Sequence, residues 1–161
     1  MSRRTIAPCL VLFLALVIST GCIGPFTEMF EKRYENKKEA DAVGAIGWGH
    51  WIPAVIPGDA SDIREVHDID TNDTWGCFKT QDFKGLRVML QKVDAQVVQG
   101  PIDPGPNEIF RNFSWWPSIM RSSSVEAWEF TEAPLAPALS KFTVRAGIDE
   151  KPGTACFYRT Q

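Results

Sequence analysis

The sequence predicts a small α+β domain: an antiparallel sheet of two hairpins plus one further strand, with one packed helix and long Pro-rich loops. Three observations carry this. Phe142, Val144, Ala146 and Ile148 alternate with Thr143, Arg145, Gly147 and Asp149, the period of a half-buried strand. Phe83, Leu86, Leu90 and Val93 recur at spacings of three, four and three, the period of an amphipathic helix. Pro53 and Pro57, and then the run Gly100 to Pro106, interrupt both periods. The 161 residues suit one domain, and 44 % hydrophobic against 23 % charged residues is enough apolar material for a core.

Taken in order, residues 24 to 42 are charged, with Phe26, Met29, Phe30 and Tyr34 at near-helical spacing. They read as a tether with a helical stretch, so that residues 22–46 lead into one domain over 47–161. Ile63 to Asp70 and Thr74 to Thr80 are strand-like runs around Asp70-Thr71-Asn72-Asp73, a tight-turn cluster, and predict the first hairpin. Asp82 then stands as N-cap of a helix to Val93, which Gly85 weakens by about 1 kcal/mol relative to Ala. Glu126 to Phe130 alternates as a further strand. The strand from Phe142 turns at Glu150-Lys151-Pro152-Gly153 into Thr154 to Arg159, the second hairpin.

The N-terminus carries an address. Arg3 and Arg4 precede the charge-free run Ile6 to Ile18, which is too short for a comfortable membrane span. Ser19-Thr20-Gly21 then leads to Cys22, and this junction resembles the lipobox of bacterial lipoproteins, although Ser19 stands where such signals usually carry Leu, Val or Ile. The resemblance implies a leader over 1–21, acylation of Cys22 with palmitate-type chains, and a membrane contact made through that lipid. Ile23 is not the Asp associated with inner-membrane retention, so outer-membrane attachment facing the periplasm is expected over inner-membrane attachment. Cleavage would remove Arg3 and Arg4, leaving 15 basic against 20 acidic side chains, a net of -5. Such a balance excludes a nucleic-acid partner bound by general basicity.

Three stretches carry a further resemblance: Trp51-Ile52-Pro53 through Pro57 to Asp62-Ile63, then His67-Asp68-Ile69-Asp70-Thr71-Asn72 with Trp75, then Trp115-Trp116-Pro117. Together they are similar to a group of uncharacterised bacterial envelope lipoproteins. This implies an envelope protein and attaches no catalytic role to any residue.

The polar residues Asp59, Asp62, Glu65, His67, Asp68, Asp70, Asn72 and Asp73 form the densest constellation, and His67, Asp68, Asp70 and Asp73 are its candidate metal or polar cluster. An EF-hand is excluded, because Asp73 stands where Gly is required and Lys79 where the bidentate Glu belongs. Strand alternation places His67 and Asp68 on opposite faces. The expected roles are therefore structural: Asp70, Thr71 and Asn72 capping the turn, and His67 satisfying a buried carbonyl or carboxylate. No nucleophile elbow, phosphate loop or Cys-x-x-Cys occurs, so no catalytic residue, no enzyme activity and no cofactor is expected.

Trp48, Trp51, Trp115 and Trp116 are candidate binding aromatics for a groove that takes peptidoglycan sugars or an envelope protein partner, whereas Trp75 and Trp128 read as core. Once Cys9 is cleaved away and Cys22 acylated, Cys77 and Cys156 remain, as a candidate disulfide or as two buried thiols. The thiols are the first expectation, since adjacent strands accept a bridge only at certain pairings. The reading is thus a lipid-anchored envelope protein that binds or scaffolds. Its alternatives are a small metal-dependent hydrolase using His67 and the Asp68 to Asp73 region, or an immunity-type inhibitor lipoprotein.

Overall fold

Alternating strands bury one face only when a second layer covers it, and here both faces are covered over part of their area. The computed structural model describes residues 29–47, 50–102, 113–132 and 141–161. Its elements in chain order are β1 (Met29–Asn36), α1 (Lys37–Ala42), β2 (Ser61–Asp68), β3 (Thr74–Lys79), α2 (Phe83–Lys92), β4 (Gln96–Val98), a 3-10 turn (Ser118–Arg121), β5 (Glu126–Glu132), β6 (Phe142–Asp149) and β7 (Thr154–Thr160). The seven strands form one antiparallel sheet in the order β1-β2-β3-β7-β6-β5-β4. The protein is mostly β with some helix.

Two meanders make this order. The strands β1 to β3 run side by side, as do β4 to β7, and β3 meets β7 at the seam. The connection between the meanders is α2, whose Phe83, Leu86 and Leu90 pack on the sheet. Asp82 caps it, accepting from the Gly85 N–H at 2.8 Å. Val93 lies beyond the last turn and is 40 % exposed, so the apolar stripe ends one residue group earlier than its spacing predicts.

The segment expected to be a tether is different. From Met29 to Asn36 it is an edge strand, with Tyr34 opposite Ile63 and Phe30 opposite His67. The same residues satisfy a second period, since Phe30, Lys32 and Tyr34 share a strand face, and pairing with β2 supplies backbone bonds that a short isolated helix lacks. Among the described residues of this segment helix is confined to α1, where the Asn36 side chain caps the Glu39 N–H at 3.1 Å. The expected two hairpins and further strand thus understate the sheet, which also contains β1 and the short β4.

Register distributes the side chains. One face gathers Ile63, Phe78, Phe157, Val144 and Trp128 beneath α2 and the Pro-bounded segment carrying Ile52 and Ile56. The other gathers Trp75, Cys77, Ala127 and Cys156 beneath Ile102, Trp116, Met120 and Val125. A Cβ at Gly147 would stand 2.7 Å from Met120 Sδ and 2.9 Å from Ile102 Cδ1, so the bare strand backbone there admits the 3-10 turn. The leader, Cys22, Trp48 and most of the loop after Gly100 lie outside the described residues. Among the described residues no helix is long and apolar enough to cross a membrane.

Candidate functional site

The polar constellation read from the sequence separates into four local structures. Asp59 accepts from Thr80 Oγ1 at 2.7 Å and the Gln81 N–H at 2.8 Å, joining the Pro-bounded segment to the start of α2. Burial alone would raise its pKa, but these hydrogen bonds outweigh burial and hold the carboxyl below its ordinary value. Asp68, not Asp70, caps the turn: its Oδ1 accepts from the Asp70 N–H at 2.9 Å and the Thr71 N–H at 3.4 Å. Asn72 takes the left-handed conformation, φ 59°, and its amide donates to Gln161 Oε1 at 3.3 Å. Asp73 contributes its backbone, donating to Thr71 Oγ1 and accepting from the Asp68 N–H at 3.0 Å.

His67 is turned the other way, as alternation requires. Its Nδ1 lies 2.8 Å from Glu65 Oε2, and both residues are buried. The imidazole is sandwiched by Trp51 at 3.9 Å and by Phe30 at 5.5 Å between ring centroids. Burial is the main influence on Glu65 and pushes its carboxyl up, against the opposing pull of His67. Two strands away on the same face, Arg159 Nε donates to Glu132 Oε2 at 3.1 Å, with the guanidinium 3.5 Å over the Phe142 ring. Burial raises Glu132 and lowers Arg159. Thr74 stands in register with both His67 and Arg159, so a buried polar strip crosses the sheet. Glu65 Oε1, Thr74 Oγ1 and Arg159 Nη2 have no hydrogen-bond partner among the described residues. No group of three or more His, Cys, Asp or Glu fit to hold a metal occurs among them either.

Among the described residues, the candidate aromatics do not share a groove. Trp51 lies on His67, whereas Trp115 and Trp116 lie on the opposite face of the sheet. Trp116 is buried core; Trp115 is half-buried and braced by Phe113 and Trp116 at 5.2 and 6.1 Å. Trp75 and Trp128 are buried on opposite faces.

Trp115 and Pro117 line a surface groove of about 250 Å³ together with Asp62, Arg64 and Lys79. Cys77 and Phe78 also line it, and Cys77 is joined to Cys156. The two cysteines are directly opposed in the β3–β7 register with Cα atoms 4.0 Å apart, so the first expectation of two thiols gives way to the bridge. The sequence supplied the pair but not the register that lets it close.

An irregularity lies beside the groove. The β2–β3 register shifts by one residue between Ser61 and Arg64, and Asp62 sits there with φ 45°. Such a bulge bends the strand and re-aims its side chains. Arg33 donates to Asp62 Oδ1 at 2.9 Å, and Arg64 Nε reaches the same oxygen at 3.4 Å. Arg64 and Lys79 were not singled out in the sequence, where each is one cation in a strand; the β2–β3 register sets Arg64 opposite Cys77, two residues from Lys79 on the same face.

Residues 28–79 match the family model of the YbbD head domain. The match suggests an envelope-associated protein. It spans about a third of the chain, the first meander with α1, and so includes Glu65, His67, Asp62, Arg64 and Lys79 but neither Trp115 nor Cys156. No curated protein and no solved structure matches the chain significantly.

Proposed function

We propose that this chain is a lipid-anchored envelope protein that works by binding, held at the outer membrane through Cys22 with its domain facing the periplasm. The observation that carries the binding role is a contrast between two polar sites. The titratable pair Glu65 and His67 is buried and stacked under Trp51, so a reacting substrate has no approach through those rings. The groove on the opposite face is open and presents an indole, a guanidinium and an ammonium, the side chains that recognise ligands by stacking and charge. The address is supported by the leader and the Gly21-Cys22 junction, and by the match over 28–79. Six residues lie between Cys22 and Met29, a reach of roughly 25 Å at full extension, which keeps the sheet edge close to the lipid surface.

Two measurements test this. Wild type should incorporate labelled palmitate and sediment with membranes, and Cys22→Ala should do neither. A photo-cross-linking residue at Lys79 should capture a ligand or partner in intact envelopes, while the same residue at Lys92, on α2, should not. An unlabelled wild type overturns the anchor, and equal capture from both positions overturns the binding role.

A further inference from the structure

We infer that the groove beside the β2 bulge is a site for a compact acidic sugar, a single carboxylate-bearing pyranose; this names a ligand class for the binding role and rests on it. The charge around the groove is unbalanced. Asp62 is its one carboxylate among the described lining residues, and Arg33 already takes Oδ1 through Nε at 2.9 Å and Nη2 at 2.8 Å. Arg64 reaches that oxygen only through Nε, and its two terminal nitrogens have no partner among the described residues. Lys79 Nζ donates to Thr154 Oγ1 at 2.7 Å and to the Pro152 carbonyl at 3.2 Å, both uncharged. Glu35 and Glu39 lie beyond Arg33 in a neighbouring depression and do not line the groove. In a chain of net charge -3, a groove whose described lining sets two cations against one carboxylate, itself shared with Arg33, marks a place for an acidic guest.

The rest of the site selects the body of that guest. A non-glycine residue at φ 45° is a strained conformation, and here the strain lies at the bulge that aims Asp62 and Arg64 toward one cleft. The lining also includes the Trp115 indole, stacked with Phe113 at 5.2 Å, and Pro117, an apolar surface suited to the C–H face of a sugar ring. The free guanidinium edge suits a carboxylate in two-pronged fashion, and the second Asp62 oxygen can accept from ring hydroxyls. A volume of about 250 Å³ falls below that of sites for larger ligands and fits one ring with its substituent.

The test uses full-length protein in detergent micelles and saturation-transfer NMR with three probes. N-acetylmuramic acid carries ring and carboxylate, N-acetylglucosamine the ring alone, and N-acetylglutamate a carboxylate without the ring. The first should bind saturably and each of the others about tenfold or more weaker. Arg64→Gln and Trp115→Ala should each weaken it about fivefold or more, with Lys92→Gln as the unaffected control. Trp115→Phe keeps an aromatic wall and should restore part of the binding should Trp115→Ala fail to fold. Equal binding of the two sugars, equal binding of N-acetylglutamate, undiminished binding by Arg64→Gln, or no saturable binding at all overturns the inference. Cross-linking from position 79 with no sugar binding would overturn this ligand class and leave the binding role standing.

Discussion

Glu65 and His67 show at the scale of single residues how a polar pair is kept inside. Glu65 has no exposed surface and one oxygen without a partner among the described residues, so its charged form is disfavoured and its pKa is raised by burial. A carboxyl with a raised folded-state pKa binds more protons folded than unfolded. Its favourable contribution is therefore complete below the ordinary Glu value and is lost as pH rises through the raised value. The melting temperature of Glu65→Gln, relative to wild type, should thus increase as pH rises from that range. Thermal melts across pH 4 to 8 check this, and a difference that stays flat or shrinks would contradict it. Tyr34 is coupled to the same group. Burial first, and then the Glu65 charge, push its hydroxyl from 10.0 up to about 12. Its stabilisation is present below 10.0 and lost as pH rises toward about 12, so Tyr34→Phe should be less sensitive to alkali over that window. Tyrosinate absorbance should show the late-titrating phenol in wild type and an earlier one in Glu65→Gln. The pairing was legible in outline, because residues two apart in a strand share a face. The stacking rings were not, since Phe30 and Trp51 come from segments whose strand or loop geometry is set by what they pack against.

Elements divide by whether their stability is local. The period of α2 and its Asp82 cap could be read directly, because a helix bonds within itself. Strand β1 could not, since its conformation is conferred by β2, and β4 has three residues, too few for a period. The 69–73 turn lies between these cases. Its Asx-rich composition announced a turn, but the capping role falls to Asp68, whose side chain reaches forward to the Asp70 and Thr71 amides. Asp68→Ala should therefore cost on the order of 1 kcal/mol, while Asp70→Ala should stay within about half of that. Urea titrations of the two variants distinguish them, and an Asp70 effect as large as that of Asp68 would contradict the assignment. Gly76 illustrates a second limit on reading elements from sequence. A Cβ there would stand 2.4 Å from the Phe157 ring and 2.8 Å from the Arg64 carbonyl, so a residue that weakens a strand in isolation is required by the neighbouring one.

On the scale of the whole molecule, the decisive contact is the seam where β3 of the first meander pairs with β7 of the second. No local signal predicts that pairing, because a strand's period shows which face is buried and not which strand lies beside it. The sheet's continuity depends on this non-local junction, and the Cys77–Cys156 bridge lies across it, closing a sequence separation of 79 residues. A cross-link over so long a loop restricts the unfolded chain more than the folded one, with an expected stabilisation of about 4 kcal/mol in the chain-entropy account. Cys77→Ser with Cys156→Ser should lower the urea midpoint accordingly, while circular dichroism still shows a mostly β protein, since the pairing also rests on buried Phe78, Ala155 and Phe157. Intact mass after alkylation in denaturant should show neither cysteine modified until a reductant is added. Labelling of both without reductant, or a double variant as stable as wild type, would mean that packing alone holds the two meanders together.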